Sequence, residues 1–326
     1  MQLHRKLPVN FIAADYHLFA HELNIEAHEP ALISVRFVYA DLYWHSATRG
    51  LSSLKQSQLL YSKMKWRRFF SPKIKYCKKT AIVFDIWSSN YFHWMTEAVP
   101  KLQHLATIGE NLVVYIPEPL LRQPFAKFTL SLFENISFRT ISINRITKFI
   151  IQKAYLCNLK MPAGNYHPEI IKEAATFLKN SVHQNYLIAK RVFIYRDILD
   201  GRGIENFKEV KPLLDRYGFD IVNMGKLTPE EQIASMQNCK VLVGVHGAGL
   251  TNMMFLPAGA KVLELRRYDD KLNNCYFSLA SALDIDYYYQ LCEVNDLSMI
   301  TQKNSFWVDI CKLENLFISF KIENDE

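Results

Sequence analysis

The chain has 326 residues, of which 49% are hydrophobic and 22% charged, a composition that supports one or two buried cores and excludes a disordered chain, a collagen-like repeat and an integral membrane bundle. Lysine and arginine total 39 against 32 aspartates and glutamates, and the net charge of +7 suits an anionic ligand or surface without saying which. The six cysteines (Cys77, Cys157, Cys239, Cys275, Cys292 and Cys311) include no C-x-x-C pair, which argues against a zinc ribbon, a redox pair or a disulfide framework and for reduced thiols.

Met1 to Asn10 is polar and lacks an apolar core, so no secretory leader is expected. Ala31–Trp44 is interrupted by Arg36 and Asp41, and no run reaches the roughly 20 apolar residues of a spanning helix. Ile33–Tyr39 reads as a strand. Residues 63–79 then carry Lys63, Lys65, Arg67, Arg68, Lys73, Lys75, Lys78 and Lys79 and no acidic residue, interleaved with Trp66, Phe69, Phe70 and Tyr76. These eight charges exceed the net charge of the whole chain.

Ala81–Asp85 reads as a buried strand. Ser88, Ser89 and Asn90 are N-cap residues for a helix over 91–106, which Pro100 should kink or whose boundary it should shift. Leu112–Ile116 is a strand, 122–133 a helix, 137–143 and 149–157 strands, and 167–182 a helix. In the second half Arg191–Tyr195 is a strand, and 207–217 a helix stopped by Gly218. Phe219–Val222 is a strand. Thr228, Pro229 and Glu231 form the start of another helix. Lys240–Gly244 is a strand, 249–255 a short helix and Lys261–Leu265 a strand. The apolar spacing over 306–322 predicts a terminal helix. Strands alternating with helices predict an α/β fold, two Rossmann-like domains with parallel sheets facing a cleft. The boundaries are 1–185, 186–300 and a C-terminal helix over 301–326 that crosses back to the first domain. Ligands bind beyond the carboxyl ends of such strands, so the chemistry belongs in the loops after Phe84, Tyr195, Gly244 and Leu265.

Three of these loops carry candidate groups. In Val243–Phe255 a strand runs into His246-Gly247-Ala248-Gly249 and a helix starts near Leu250. Glycines allow close approach of a ligand, a helix start offers unpaired N–H groups to phosphate, and Thr251 and Asn252 add donors. In the second segment His93 and Glu97 stand four residues apart on one helical face with Asn90 a turn earlier, a plausible general-base centre. In the third, Arg196 and Arg202 follow a strand end, where arginine suits bidentate phosphate contacts. Taken singly, each segment also fits a turn, a surface pair or solvated arginines without a ligand.

Together the segments resemble glycosyltransferase family 61. The resemblance is strongest at His246-Gly-Ala-Gly-Leu-Thr-Asn252 and continues through Phe255-Leu-Pro-Ala-Gly-Ala260 to Val262-Leu-Glu-Leu265. Asn90-Tyr-Phe-His-Trp, Glu97, Pro100, Gln232, Arg196, Arg202 and Asn206 support it, over roughly residues 80–265. Gly203 and Phe207 depart from the family, which often has a second arginine and an acidic residue there. The family implies a GT-B fold with an acceptor-side N-terminal domain and a nucleotide-sugar donor domain. It also implies an inverting, metal-independent transfer to a hydroxyl of a growing capsule or lipopolysaccharide-type glycan. Glu97 is then the base, with His93 its nearest rival, and Asn90 lies on the acceptor side. His246 and the Gly247, Ala248, Gly249 and Leu250 backbone hold phosphate with Thr251, Asn252, Arg196 and Arg202, and Glu264 bonds the donor ribose. No cofactor or metal is expected beyond the nucleotide-sugar co-substrate.

The absence of a leader points to a cytoplasmic enzyme, peripheral on the inner face of the membrane if the 63–79 run meets anionic lipid. That run also admits a nucleic-acid reading or a solvated one, and no nucleic-acid fold signature accompanies it. Asp284-Ile-Asp286 and Asp269-Asp270 have the form of metal-binding acidic pairs, and His17 and His21 are spaced i,i+4 without a metalloprotease glutamate. The competing function is a nucleotide-sugar-binding or regulatory module without turnover. No G-x-S-x-G is present, which disfavours a serine hydrolase.

Overall fold

The computed structural model of the protein describes residues 23–28, 31–33, 38–40, 43–44, 73–76, 80–84, 87–107, 112–141, 148–151, 154–159, 166–182, 190–197, 202–270, 273–294 and 305–321. Two compact units divide them, one within Phe19–Ala163 and the other within Gly164–Glu326, so the helix Pro168–Asn180 belongs to the second. Most of the basic run 63–79 and both His17 and His21 lie outside the described residues.

In the N-terminal unit the strands are Leu23–His28 (β1), Ala31–Ile33 (β2), Val38–Ala40 (β3), Tyr43–Trp44 (β4), Lys73–Tyr76 (β5), Thr80–Ile82 (β6), Val113–Pro117 (β7), Ser137–Ile141 (β8), Lys148–Ile151 (β9) and Ala154–Leu159 (β10). One sheet has the order β1-β10-β6-β7-β8, parallel from β10 to β8 with β1 antiparallel at its edge. The other has the order β4-β3-β2-β9-β5 and is mostly antiparallel. The strand expected over 149–157 is therefore two, β9 and β10, in different sheets, and the single strand expected from Ile33 to Tyr39 is divided between β2 and β3, which pair antiparallel. All of β7 is buried, as a parallel strand covered on both faces must be. The helix expected over 122–133 starts afresh at Pro124, which lacks an N–H and favours a first helical position, giving Glu118–Leu121 and Pro124–Ser131.

The helix after β6 begins at Tyr91, where Asn90 Oδ1 accepts the Phe92 N–H at 2.9 Å. It is α-helical over Tyr91–His93, π-helical over Trp94–Ala98 and α-helical again over Val99–Ala106. Pro100 has no N–H to return to the Thr96 carbonyl, and Val99 N–H reaches the Trp94 carbonyl across the wider turn. The kink expected at Pro100 thus takes the form of a π turn directly before it. Fully buried Trp94 anchors this turn by donating Nε1–H to Thr129 Oγ1 at 2.7 Å.

In the C-terminal unit Arg191–Ile194 (β11), Asp220–Val222 (β12), Val241–Val245 (β13), Lys261–Arg267 (β14), Asp286–Val294 (β15) and Phe306–Trp307 (β16) form one sheet of order β12-β11-β13-β14-β15-β16. The first five strands are parallel and β16 is antiparallel. In chain order the parallel strands read 2-1-3-4-5, a doubly wound sheet whose winding reverses between β11 and β13. Helices Phe207–Arg216 and Ile310–Ser319 pack together on the sheet, and Pro168–Asn180, Pro229–Met236, Ala248–Phe255 and Cys275–Leu283 form a second packed group. The terminal helix begins at Ile310 because Phe306 pairs into β16 and Asp309 caps the Lys312 N–H at 3.1 Å. It packs within this unit's own core, where Phe317 stacks on Phe219 at 4.8 Å and meets Tyr217 edge-on at 5.3 Å. Asn206 ties the same segment to the start of the helix Phe207–Arg216, donating to the Val308 carbonyl at 2.9 Å and accepting its N–H at 3.0 Å.

Phe317→Ala should lower the unfolding free energy by about 3–5 kcal/mol in urea titration, the cost of emptying a core aromatic site. Ile318→Ala, on the same helix but 59% exposed, should change it by less than about 0.5 kcal/mol.

Candidate active site

The winding reverses between β11 and β13, and the region beyond their carboxyl ends is the position where such sheets bind ligands. Arg196 follows β11 and His246 follows β13. Gly247 is the next residue, and both arginines close over it: a Cβ there would sit 3.3 Å from Arg202 Nη1 and 3.4 Å from Arg196 Nη1. Arg202 Nη1 donates to the His246 carbonyl at 2.7 Å, while its buried Nε has no hydrogen-bond partner among the described residues. Burial, and then the positive charge of Arg196, push the Arg202 guanidinium below its ordinary pKa. Two converging cations with an unused buried donor make a site that an anion would complete.

The helix expected after the glycines is a 3-10 helix over Ala248–Phe255. Leu250 N–H is spent on the Gly247 carbonyl at 2.9 Å, so it is not available to a ligand. Gly249 serves packing, since a Cβ would lie 3.1 Å from Ile194 Cγ2 at the end of β11. Thr251 and Asn252 are completely buried rather than facing the region beyond the strand ends. Asn252 Nδ2 donates to Gln232 Oε1 and to the Gly249 carbonyl, both at 3.1 Å, which braces the loop against Pro229–Met236. Of the expected donor residues, the structure therefore brings His246, Gly247, Arg196 and Arg202 together at the strand ends.

Glu264 departs from its expected place at a ribose. It has no exposed surface and lies beneath His246, with Oε1 2.5 Å from His246 Nδ1 and Oε2 accepting the Tyr287 O–H at 2.5 Å. Arg266 Nη1 stands 3.8 Å from Oε2. Burial would raise the Glu264 pKa, but His246, Arg266 and the Tyr287 hydrogen bond outweigh it and hold the carboxyl below its ordinary value. Tyr276 meets the His246 ring edge-on at 5.0 Å. Sequence reasoning missed Tyr276, Tyr287 and Arg266. Tyr287 was legible once β15 was placed, because it lies two residues before Tyr289, the register partner of Glu264, and so on the same face.

In the N-terminal unit His93 and Glu97 meet as expected, Nδ1 to Oε1 at 2.8 Å, with side chains 13% and 9% exposed. The π turn changes the helix between them and Pro100 without separating them. Glu97 Oε2 makes no hydrogen bond among the described residues. Trp87, 43% exposed, stacks on His93 at 5.9 Å, a contact the sequence did not announce. Asn90 spends Oδ1 on its helix cap.

The acidic pairs lie in other roles. Asp286 begins β15 and Asp284, at φ 57°, caps the preceding helix while paired with Lys172, at the opposite strand ends from His246. Asp269 pairs with Arg267 at 2.5 Å, and Asp270 accepts from Asn273 Nδ2 at 2.7 Å. Among the described residues no group of three or more His, Cys, Asp or Glu is arranged to hold a metal ion. No described helix is long and apolar enough to cross a membrane.

Residues 91–263, more than half of the chain, match the family model described as Glycosyltransferase 61. The chain is also similar to EGF domain-specific O-linked N-acetylglucosamine transferases. It is 38% identical to that of Drosophila melanogaster over 73 residues, 22% of this chain and 14% of the relative. It is 34% identical to that of Gallus gallus over 93 residues, 28% of this chain and 17% of the relative. The chain thus spans less than a fifth of the length of these relatives.

The depressed Glu264 carboxyl has a consequence for stability. Its contribution is full above the ordinary carboxylate range and is lost as pH falls through the folded value. Wild type should therefore exceed Glu264→Gln in unfolding free energy by about 1–3 kcal/mol at pH 7. Denaturant titrations should show that gap narrowing steadily toward pH 3.

Proposed function

The chain belongs to glycosyltransferase family 61, and we propose that it transfers a sugar from a nucleotide-activated donor to an acceptor hydroxyl, inverting the anomeric centre without a metal ion. The observation that carries this reading is the convergence of Arg196 and Arg202 on Gly247 at the reversal point of the C-terminal sheet, beside His246. In this reading the diphosphate of a nucleotide sugar binds between these guanidinium groups. As the glycosidic bond to phosphate breaks, charge develops on the departing phosphate, and the two guanidinium groups stabilise it. A preorganised donor of this kind contributes about 3–4 kcal/mol to a transition state. A helix end alone contributes about 0.3–1 kcal/mol, so the cations are required.

In this reading the N-terminal unit is the acceptor half of a GT-B arrangement and supplies the base. Glu97 takes the acceptor proton on Oε2 as the hydroxyl oxygen attacks the anomeric carbon, and His93 holds Oε1. The open second oxygen supports Glu97 over His93 as the base. The acceptor is a hydroxyl of a growing cell-surface glycan of the capsule or lipopolysaccharide type. The relatives, by their names, modify EGF domains, so a polypeptide hydroxyl is the acceptor to test against it. In the same reading the basic run 63–79 meets anionic lipid at the cytoplasmic face of a membrane. Flotation with anionic vesicles, but not with neutral ones, at moderate salt is the expected result.

Glu97→Gln should reduce turnover by about 10²–10⁴-fold while leaving nucleotide binding, read by thermal shift, unchanged. Near-normal turnover removes Glu97 from the base role. Turnover that survives exhaustive chelation supports the metal-free mechanism, and its loss with rescue by a divalent ion overturns it.

A further inference from the structure

Behind His246 lies a chain of polar contacts that the transfer reaction does not itself require. Glu264 Oε1 engages His246 Nδ1, and Oε2 engages the Tyr287 hydroxyl with Arg266 Nη1 nearby. An ionised carboxylate can only accept, so at Oε1 the imidazole Nδ1 must carry the proton. Burial, and then the charge of Glu264, hold the Tyr287 phenol far above its ordinary pKa, so it remains a donor to Oε2. Arg266 is completely buried and extends the contact, donating through Nη2 to the Asp270 carbonyl at 2.7 Å and through Nη1 to the Asn273 carbonyl at 3.3 Å. His246 is fixed at three further points: its N–H on the Leu265 carbonyl at 2.9 Å, its carbonyl on Arg202 at 2.7 Å, and its ring against Tyr276. The match to the family model ends at residue 263, short of Glu264, Arg266 and Tyr287.

We propose that Tyr287 and Arg266 are positioning residues for His246: they hold the Glu264 carboxylate so that the imidazole keeps its Nδ1–H toward Glu264 and presents Nε2 alone to the ligand. Nε2 is on the far side of the ring from the buried carboxylate, and the His246 side chain is 12% exposed. Without the Tyr287 hydroxyl, Oε2 turns toward Arg266 and Oε1 leaves Nδ1. The ring then populates both tautomers and loses its fixed aim. The identity of the ligand rests on the nucleotide-sugar reading, whereas the positioning does not.

The test uses the full chain with ¹⁵N-labelled histidine, the His246 signals being assigned by comparison with His246→Gln. Wild type should show a single Nδ1–H tautomer. Tyr287→Phe should show mixed tautomers and bind UDP or GDP about tenfold more weakly by calorimetry, the scale of one weakened hydrogen bond to a charged group. A purely structural role predicts a lower melting temperature with His246 nitrogen shifts and nucleotide affinity unchanged, and that result overturns the proposal. Should the phenylalanine variant not fold, Glu264→Leu removes the acceptor itself. Mixed tautomers there support the proposal, and a retained single Nδ1–H tautomer overturns it. If wild type binds neither nucleotide, the donor reading fails while the nitrogen spectra still decide the positioning.

Discussion

A carboxylate sealed from water must be matched by donors on every side or take up a proton. Glu264 is sealed in this way, and the arrangement of the C-terminal strand ends follows from the match. His246 from the end of β13, Tyr287 from β15 and Arg266 from β14 itself all turn toward it. Arg266 in turn holds the carbonyls of Asp270 and Asn273, so the turn after β14 is bound to the same charge. Three neighbouring strands are thereby kept in step at the end of the sheet where the winding reverses.

The protein contains a second histidine–glutamate pair, and the contrast between the two is instructive. Both pair Nδ1 with a carboxylate oxygen, at 2.5 Å for His246–Glu264 and 2.8 Å for His93–Glu97. The difference lies in the other oxygen. In Glu264 it is taken by Tyr287 and faces Arg266, which leaves that residue able only to orient its histidine. In Glu97 it makes no such bond among the described residues, as the base role proposed for it requires. Under the proposed mechanism, two pairs of identical composition take on different work according to what meets the last oxygen atom.

The doubly wound sheet was legible in the sequence because its buried parallel strands are short apolar runs, as in Val241–Val245, and its helices carry their own start and stop signals, as at Thr228 and Gly218. Strand β15 was not, since its partly exposed tyrosines carry no apolar run and its first residues mimic an acidic metal motif. The division of 149–157 between two sheets was hidden for a different reason. Which sheet a strand joins depends on partners far along the chain, and local pattern carries no trace of them. In the site, residue types were legible and directions were not. Nothing local marks Thr251, Asn252 and Glu264 as inward-facing, because that follows from the 3-10 helix lying against Ile194 and from the pleat of β14.

The π turn over Trp94–Ala98 carries a consequence for how this chain can change. It accommodates one residue more than an α-helical turn would, between a start fixed by the Asn90 cap and an end fixed by the buried face of Val99–Ala106. Deleting a single residue there would close the wide turn into an α-helical one, and because that turn also completes about one full circle, the faces on either side would stay nearly in register. Asn90 would keep its side of the helix and Leu102 and Leu105 the core, while the spacing from His93 to Glu97 across the turn would change. The extra residue therefore sets the distance between these two side chains and leaves the rest of the helix in place.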